Sequence, residues 1–171
     1  MSNPVKWQFH PKQWTNSMPA PTILHDVSHV QQRHDGDCLA ACVAMLLDSL
    51  DRHIAYAELV RLLRIRAYGA PASNVRLLSA LDFDVTYSVT DLSGLEVLLR
   101  QGVCVILFVR TGELPYWAYS TDHALLCVGC DEQCFYVQDP HLNDGPIKVS
   151  RGDLELAWLE HDYRYATVKP R

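Results

Sequence analysis

The chain has 171 residues, 49% of them hydrophobic and 20% charged, the makeup of a globular protein rather than a disordered or fibrous one. A total of 15 Lys and Arg against 20 Asp and Glu leaves a formal charge of −5, so there is no basic excess to drive nucleic-acid binding, and no nucleic-acid partner is expected. No purely apolar run, whether Cys38 to Leu47 or Val103 to Val109, approaches the roughly 20 residues that cross a bilayer, and the first residues lack an apolar signal segment. The expectation is a cytoplasmic protein without membrane insertion, whose six cysteines are reduced and serve in catalysis, metal binding or the core.

Residues 1–26 contain Pro4, Pro11, Pro19 and Pro21, which exclude a continuous helix. They read as an irregular arm, anchored by Trp7, Phe9 and Trp14. Val27 to Gln31 alternates apolar and polar, the period of a short strand. After the turn Asp35-Gly36-Asp37, residues 38–50 form a helix apolar on nearly every face and therefore central. A second helix runs from Ala55 to Arg66, with Arg61, Arg64 and Arg66 on its solvated side. Ser73 is placed as the cap of a short helix from Asn74 to Leu81, ahead of a strand from Phe83 to Val89. Thr90 or Ser93 opens the next helix, through Leu92, Leu95, Leu98 and Leu99, and Gly102 stops it.

From there the pattern turns to strands. Val103–Val109 is a buried strand, 110–122 a loop around Pro115, and His123–Cys130 and Cys134–Gln138 a hairpin turning at Asp131-Glu132. A loop from Asp139 to Gly145 leads to a strand at Ile147–Val149. Ser150 caps a last helix ending near Glu160, and Tyr163 to Val168 closes the chain as a strand. Helices first and strands afterwards predict an α+β layout.

Cys38 opens the central helix, and a helix N-terminus stabilises a thiolate through its dipole and unpaired N–H groups. Among eight histidines, His123 is distinctive because it follows a polar stretch and opens an apolar strand, at a rigid strand end beside a loop. Asp139 ends the partner strand, so the hairpin brings it close to His123, where a carboxylate can fix the imidazole tautomer. Together they supply a thiol, a base and an orienting acid.

The run Gln32-Arg-His-Asp-Gly-Asp-Cys38, then Asp122-His-Ala-Leu-Leu-Cys-Val-Gly129 and Tyr-Val-Gln-Asp-Pro140, resembles the bacteriocin-processing (double-glycine-leader) peptidases among papain-like cysteine peptidases. The resemblance covers roughly residues 27–170 and implies one papain-like domain over 27–171, with the nucleophile helix packed on an antiparallel sheet. It implies Cys38 as nucleophile, His123 as general base, Asp139 as its orienter and the Gln32 side chain as oxyanion donor beside the Cys38 N–H. The implied substrate is a peptide or protein, cut without a cofactor. Two departures stand out: the family usually has Gly after the cysteine where this chain has Leu39, and the adjacent Gln31 competes with Gln32 as donor. A peptide-binding module without turnover, and an acyl transferase using the same thioester, are the alternatives on that fold.

Other features weigh less. Cys127, Cys130 and Cys134 near His123 suggest zinc, but Cys127 and Cys130 should face opposite sides of their strand, so all three are assigned to the core. Cys42, one turn below Cys38, is likewise assigned to the core, ahead of a disulfide with Cys38. No Gly-rich phosphate loop is present.

Overall fold

In the computed structural model, residues 22–171 are described; the proposed anchors Trp7, Phe9 and Trp14 lie outside them. The elements are β1 (Ile23–Leu24), α1 (Cys38–Asp48), α2 (Tyr56–Leu62), a 3-10 segment (Ala72–Ala80), β2 (Phe83–Val89), α3 (Leu92–Arg100), β3 (Val105–Arg110), a 3-10 turn (Thr111–Glu113), β4 (Asp122–Cys130), β5 (Cys134–Gln138), β6 (Ile147–Ser150), α4 (Arg151–Leu159) and β7 (Arg164–Pro170). The strands form an antiparallel sheet in the order β2-β7-β3-β4-β5-β6, with β1 paired to β4. The α+β expectation holds.

Both faces of the central strands are covered. Ile106, Phe108, Ala124 and Leu126 pack into one apolar cluster with α1 and α2. Val105, Leu107, Val109 and Leu125 pack into a second with α3 and α4. A strand buried on both sides needs no polar positions, which explains the unbroken apolar runs in β3 and β4. Residues Leu39 to Val43 and Met45 to Leu47 of α1 are all buried. Each such Leu contributes about 2 kcal/mol by leaving water. Helix α1 is therefore fixed by packing rather than by capping, since Asp37 makes no side-chain cap bond.

Several local expectations are corrected. Val27–Gln31 joins no ladder. Gln138 Nε2 instead donates to Val27 O, and just beyond the segment Gln32 N donates to Pro140 O. The strand lies just ahead, at β1. The helix expected from Ala55 to Arg66 ends at Leu62, and Arg64 turns to φ 54. The segment after Pro71 winds as 3-10 rather than α, with Pro71 and not Ser73 at its N-cap. Asp91, not Thr90 or Ser93, caps α3 by accepting from Gly94 N at 2.8 Å. Ser150 does cap α4, and Gly102 follows α3 at φ +82, a conformation open to glycine without strain.

Cys127 and Cys130 do not face opposite sides. The register runs from Cys127↔Val137 to Gly129↔Tyr136, a bulge that inserts one residue in β4. Both cysteines therefore enter the α3/α4 cluster, where burial pushes their thiols up and keeps them neutral. The core assignment stands for these two although its geometric reason does not, whereas Cys134 is half-buried and belongs to neither cluster.

Candidate active site

Three sequence features converge at one end of the sheet. α1 begins at Cys38, so its half-buried thiol sits on the first helical residue. β4 carries His123, and the β4–β5 hairpin returns Asp139 beside it. His123 Nε2 bonds Asp139 Oδ1 at 2.8 Å, with both side chains buried. Nε2 is thereby taken, which leaves Nδ1 as the ring nitrogen available to a neighbouring thiol, and Cys38 lines the same cleft.

The electrostatics favour charge on this pair. Burial opposes a charged imidazole, but the bonds to Asp139 and Cys38 outweigh it and lift His123 from 6.5 to about 9. Burial likewise opposes a charged Asp139, yet its bonds to His123, Trp117 and His141 N hold the carboxyl below its usual range. Asp139 accepts from two further side chains that sequence reasoning missed: Tyr116 Oη and Trp117 Nε1 each reach Oδ2 at 2.9 Å. Both lie in the loop around Pro115. The available signal was general: a buried Tyr or Trp needs a partner for its O–H or N–H.

A cleft of about 770 Å³ opens over the pair. Cys38, Leu39, His123 and Gln32 line it, while Asp139 lies behind His123, fully buried. Gln32 is half-buried and Gln31 exposed. Gln32 Nε2 makes a long 3.4 Å bond to Asp35 O, and its Oε1 is buried without a partner. Leu39 does not disturb the turn: it is already helical, needs no glycine conformation and is 3% exposed in the cleft wall. The opposite rim is built by a close approach. A Cβ on Gly36 would meet Gly69 N at 2.5 Å and Arg66 O at 2.6 Å, so the turn before Cys38 fits the 66–69 loop only as glycine.

Of the other described histidines, His161 also lines the cleft and bonds the exposed Asp122 at 3.2 Å, while three are occupied away from the cleft. His25 bonds Leu99 O, His29 bonds Gln138 and Leu142 O, and His53 pairs with Asp48. Cys42 donates to Ala124 O at 3.4 Å, which directs it away from Cys38. Among the described residues no cluster of three or more His, Cys, Asp or Glu could hold a metal, and no helix is long and apolar enough to cross a membrane.

The peptidase C39 family matches residues 26–161, which is most of the chain. The chain belongs to the peptidase C39 family. It is a papain-like cysteine peptidase. No curated protein matches its sequence. Among solved structures, a C39-like peptidase from Bacillus anthracis superposes with TM-score 0.75 at 15% identity, covering 89% of this chain and 99% of that one. The peptidase domain of Streptococcus ComA, a bifunctional ABC transporter of a quorum-sensing pathway, gives 0.70 at 17% identity, covering 84% and 98%. A double-glycine-motif protease from an AMS/PCAT transporter, in complex with its leader peptide, gives 0.69 at 16%, covering 90% and 98%. At these identities the likeness speaks for the fold alone. The C39 fold here thus carries a thiol, an imidazole and a buried carboxylate in a row beside a cleft.

Proposed function

We propose that this C39 peptidase cleaves a peptide bond with Cys38 as nucleophile, His123 as acid and base, Asp139 as its orienter and Gln32 as oxyanion donor. The carrying observation is the buried His123–Asp139 bond, which leaves one ring nitrogen free beside a cleft that Cys38 also lines. An imidazolium that persists to about pH 9 favours a thiolate beside it. That sulfur attacks the carbonyl carbon, and the oxyanion forms between the Cys38 N–H and Gln32 Nε2. The long Gln32 bond to Asp35 O is easily exchanged for a charged acceptor. Being neutral, the amide does not compete with the thiolate for the imidazolium. His123 then protonates the leaving amine, the C–N bond breaks, and an acyl thioester remains on Cys38. Water, deprotonated by His123, attacks the thioester, the C–S bond breaks to release the acid, and the thiolate–imidazolium pair is restored.

A leader peptide is the substrate class we assign, since the protease of the AMS/PCAT transporter binds one in the same fold. The test is cleavage of a peptide library that includes double-glycine leaders, by wild type and Cys38→Ala. Turnover by wild type alone supports the reading. Tight binding by both with no cleavage by either would replace it with a binding module, and transfer of the acyl group to an added amine in preference to water would make it a transferase.

A further inference from the structure

We infer that Tyr116 and Trp117 are positioning residues, which lock the free oxygen of Asp139 and screen the His123–Asp139 bond from the cleft. The inference rests on the roles given above to Cys38, His123 and Asp139. A carboxylate offers about four acceptor sites, and at Asp139 four donors meet them. His123 Nε2 and the backbone N–H of His141 bond Oδ1 at 2.8 and 2.9 Å. Tyr116 Oη and Trp117 Nε1 bond Oδ2, each at 2.9 Å. Rotating the carboxylate breaks all four bonds at once, so the imidazole is held with Nε2 inward and Nδ1 towards Cys38.

The two side chains are themselves held. Their loop is cross-tied where Thr111 Oγ1 donates to Tyr119 O at 2.8 Å and accepts from Thr121 N at 2.9 Å. Trp117 N donates to Leu114 O, and Leu114 is buried. The Trp117 ring lies 4.9 Å from the His123 ring and stacks on His141 at 4.2 Å, so it walls the pair off from the cleft it lines. Burial and the neighbouring carboxylate push the Tyr116 hydroxyl up, so it remains a donor throughout the working range. Losing either donor leaves a buried carboxylate short of a partner. It can then recover by rotating away or by taking the His123 proton, and either route removes the imidazolium that sustains the thiolate.

The test uses the full chain and iodoacetamide, with each cysteine mapped by mass spectrometry, in wild type, Tyr116→Phe and Trp117→Phe. We expect Cys38 alkylation at neutral pH to fall on the order of tenfold for each lost donor, with Cys134 and the buried cysteines unchanged. In parallel, the downfield proton resonance of His123 Nε2–H, identified by its absence in His123→Ala, should be sharp in wild type and lost to exchange in Trp117→Phe. Damage to the fold alone would instead speed alkylation of buried Cys104, Cys127 and Cys130. Unchanged Cys38 rates and an unchanged resonance in folded variants would overturn the inference. If Trp117→Phe does not fold, Tyr116→Phe, which removes one oxygen, carries the test. Wild-type Cys38 alkylating no faster than Cys134 would overturn both this inference and the catalytic reading, whereas a fast wild-type Cys38 with indifferent variants overturns this one alone.

Discussion

The two walls of the cleft are built on different terms. The histidine wall rests on hairpin strands: His123 and Asp139 are buried, and every acceptor site on the carboxylate has a donor. The glutamine wall rests on turns: Gln32 is half-buried, its nitrogen makes a 3.4 Å bond and its buried oxygen has no partner. On the proposed roles, the first wall is finished without substrate and the second is completed by it. Proton transfer needs a fixed tautomer before the substrate arrives, whereas an oxyanion donor is used only once charge develops.

Substitutions at the two walls separate these roles. His123→Ala should be the most severe, lowering peptide cleavage by about 10^4-fold or more, since the members of such a unit act together. Gln32→Ala should lower kcat by about 10²–10³-fold, the loss of one oxyanion donor, while leaving Cys38 alkylation near wild type because no oxyanion forms in that reaction. Gln31→Ala, at an exposed neighbour, should change neither rate. Asp139→Asn sharpens the contrast further. Its carbonyl could still accept from His123, but its NH2 would then face the Tyr116 O–H and Trp117 N–H, which donate to Oδ2 at 2.9 Å. Cleavage should fall by about 10²-fold, within the range of a general acid–base contribution, read by peptide turnover.

The pH dependence belongs to the histidine wall. His123 is raised from 6.5 to about 9, so the imidazolium needed for the leaving amine is present below that and lost above it. Cleavage should decline as pH rises through about 9. The same shift stabilises the fold fully below about 6.5, and that contribution disappears as pH rises through about 9, which denaturant titrations at several pH values would measure. A smaller effect than loss of the imidazole is expected on the other wall. Gly36→Ala forces a methyl against Gly69 N and Arg66 O, costing about 1–3 kcal/mol of stability by thermal unfolding and shifting KM more than kcat.

Legibility in the sequence followed the same division. The strands, α1 and the meeting of His123 with Asp139 were readable because unbroken apolar runs and a short hairpin turn fix register directly. Strand-like alternation misled at Val27–Gln31, where Gln138 and Pro140 supply the partners that a ladder would have. A bulge that no composition signals reversed the expected facing of Cys130. Tyr116 and Trp117 escaped notice because a loop's contribution to a buried carboxylate depends on how it folds back, not on any period along the chain.

The central claim is that Cys38 is activated by His123, and Cys134 provides the built-in control. Both thiols are half-buried, but of the two only Cys38 shares the cleft with His123 and contributes to its raised pKa. The decisive measurement is the ratio of their iodoacetamide alkylation rates at neutral pH, in wild type and in His123→Ala. The account requires Cys38 to react much faster than Cys134 in wild type and to lose that advantage in the variant. Equal rates in wild type, or an advantage that survives removal of the imidazole, would contradict it.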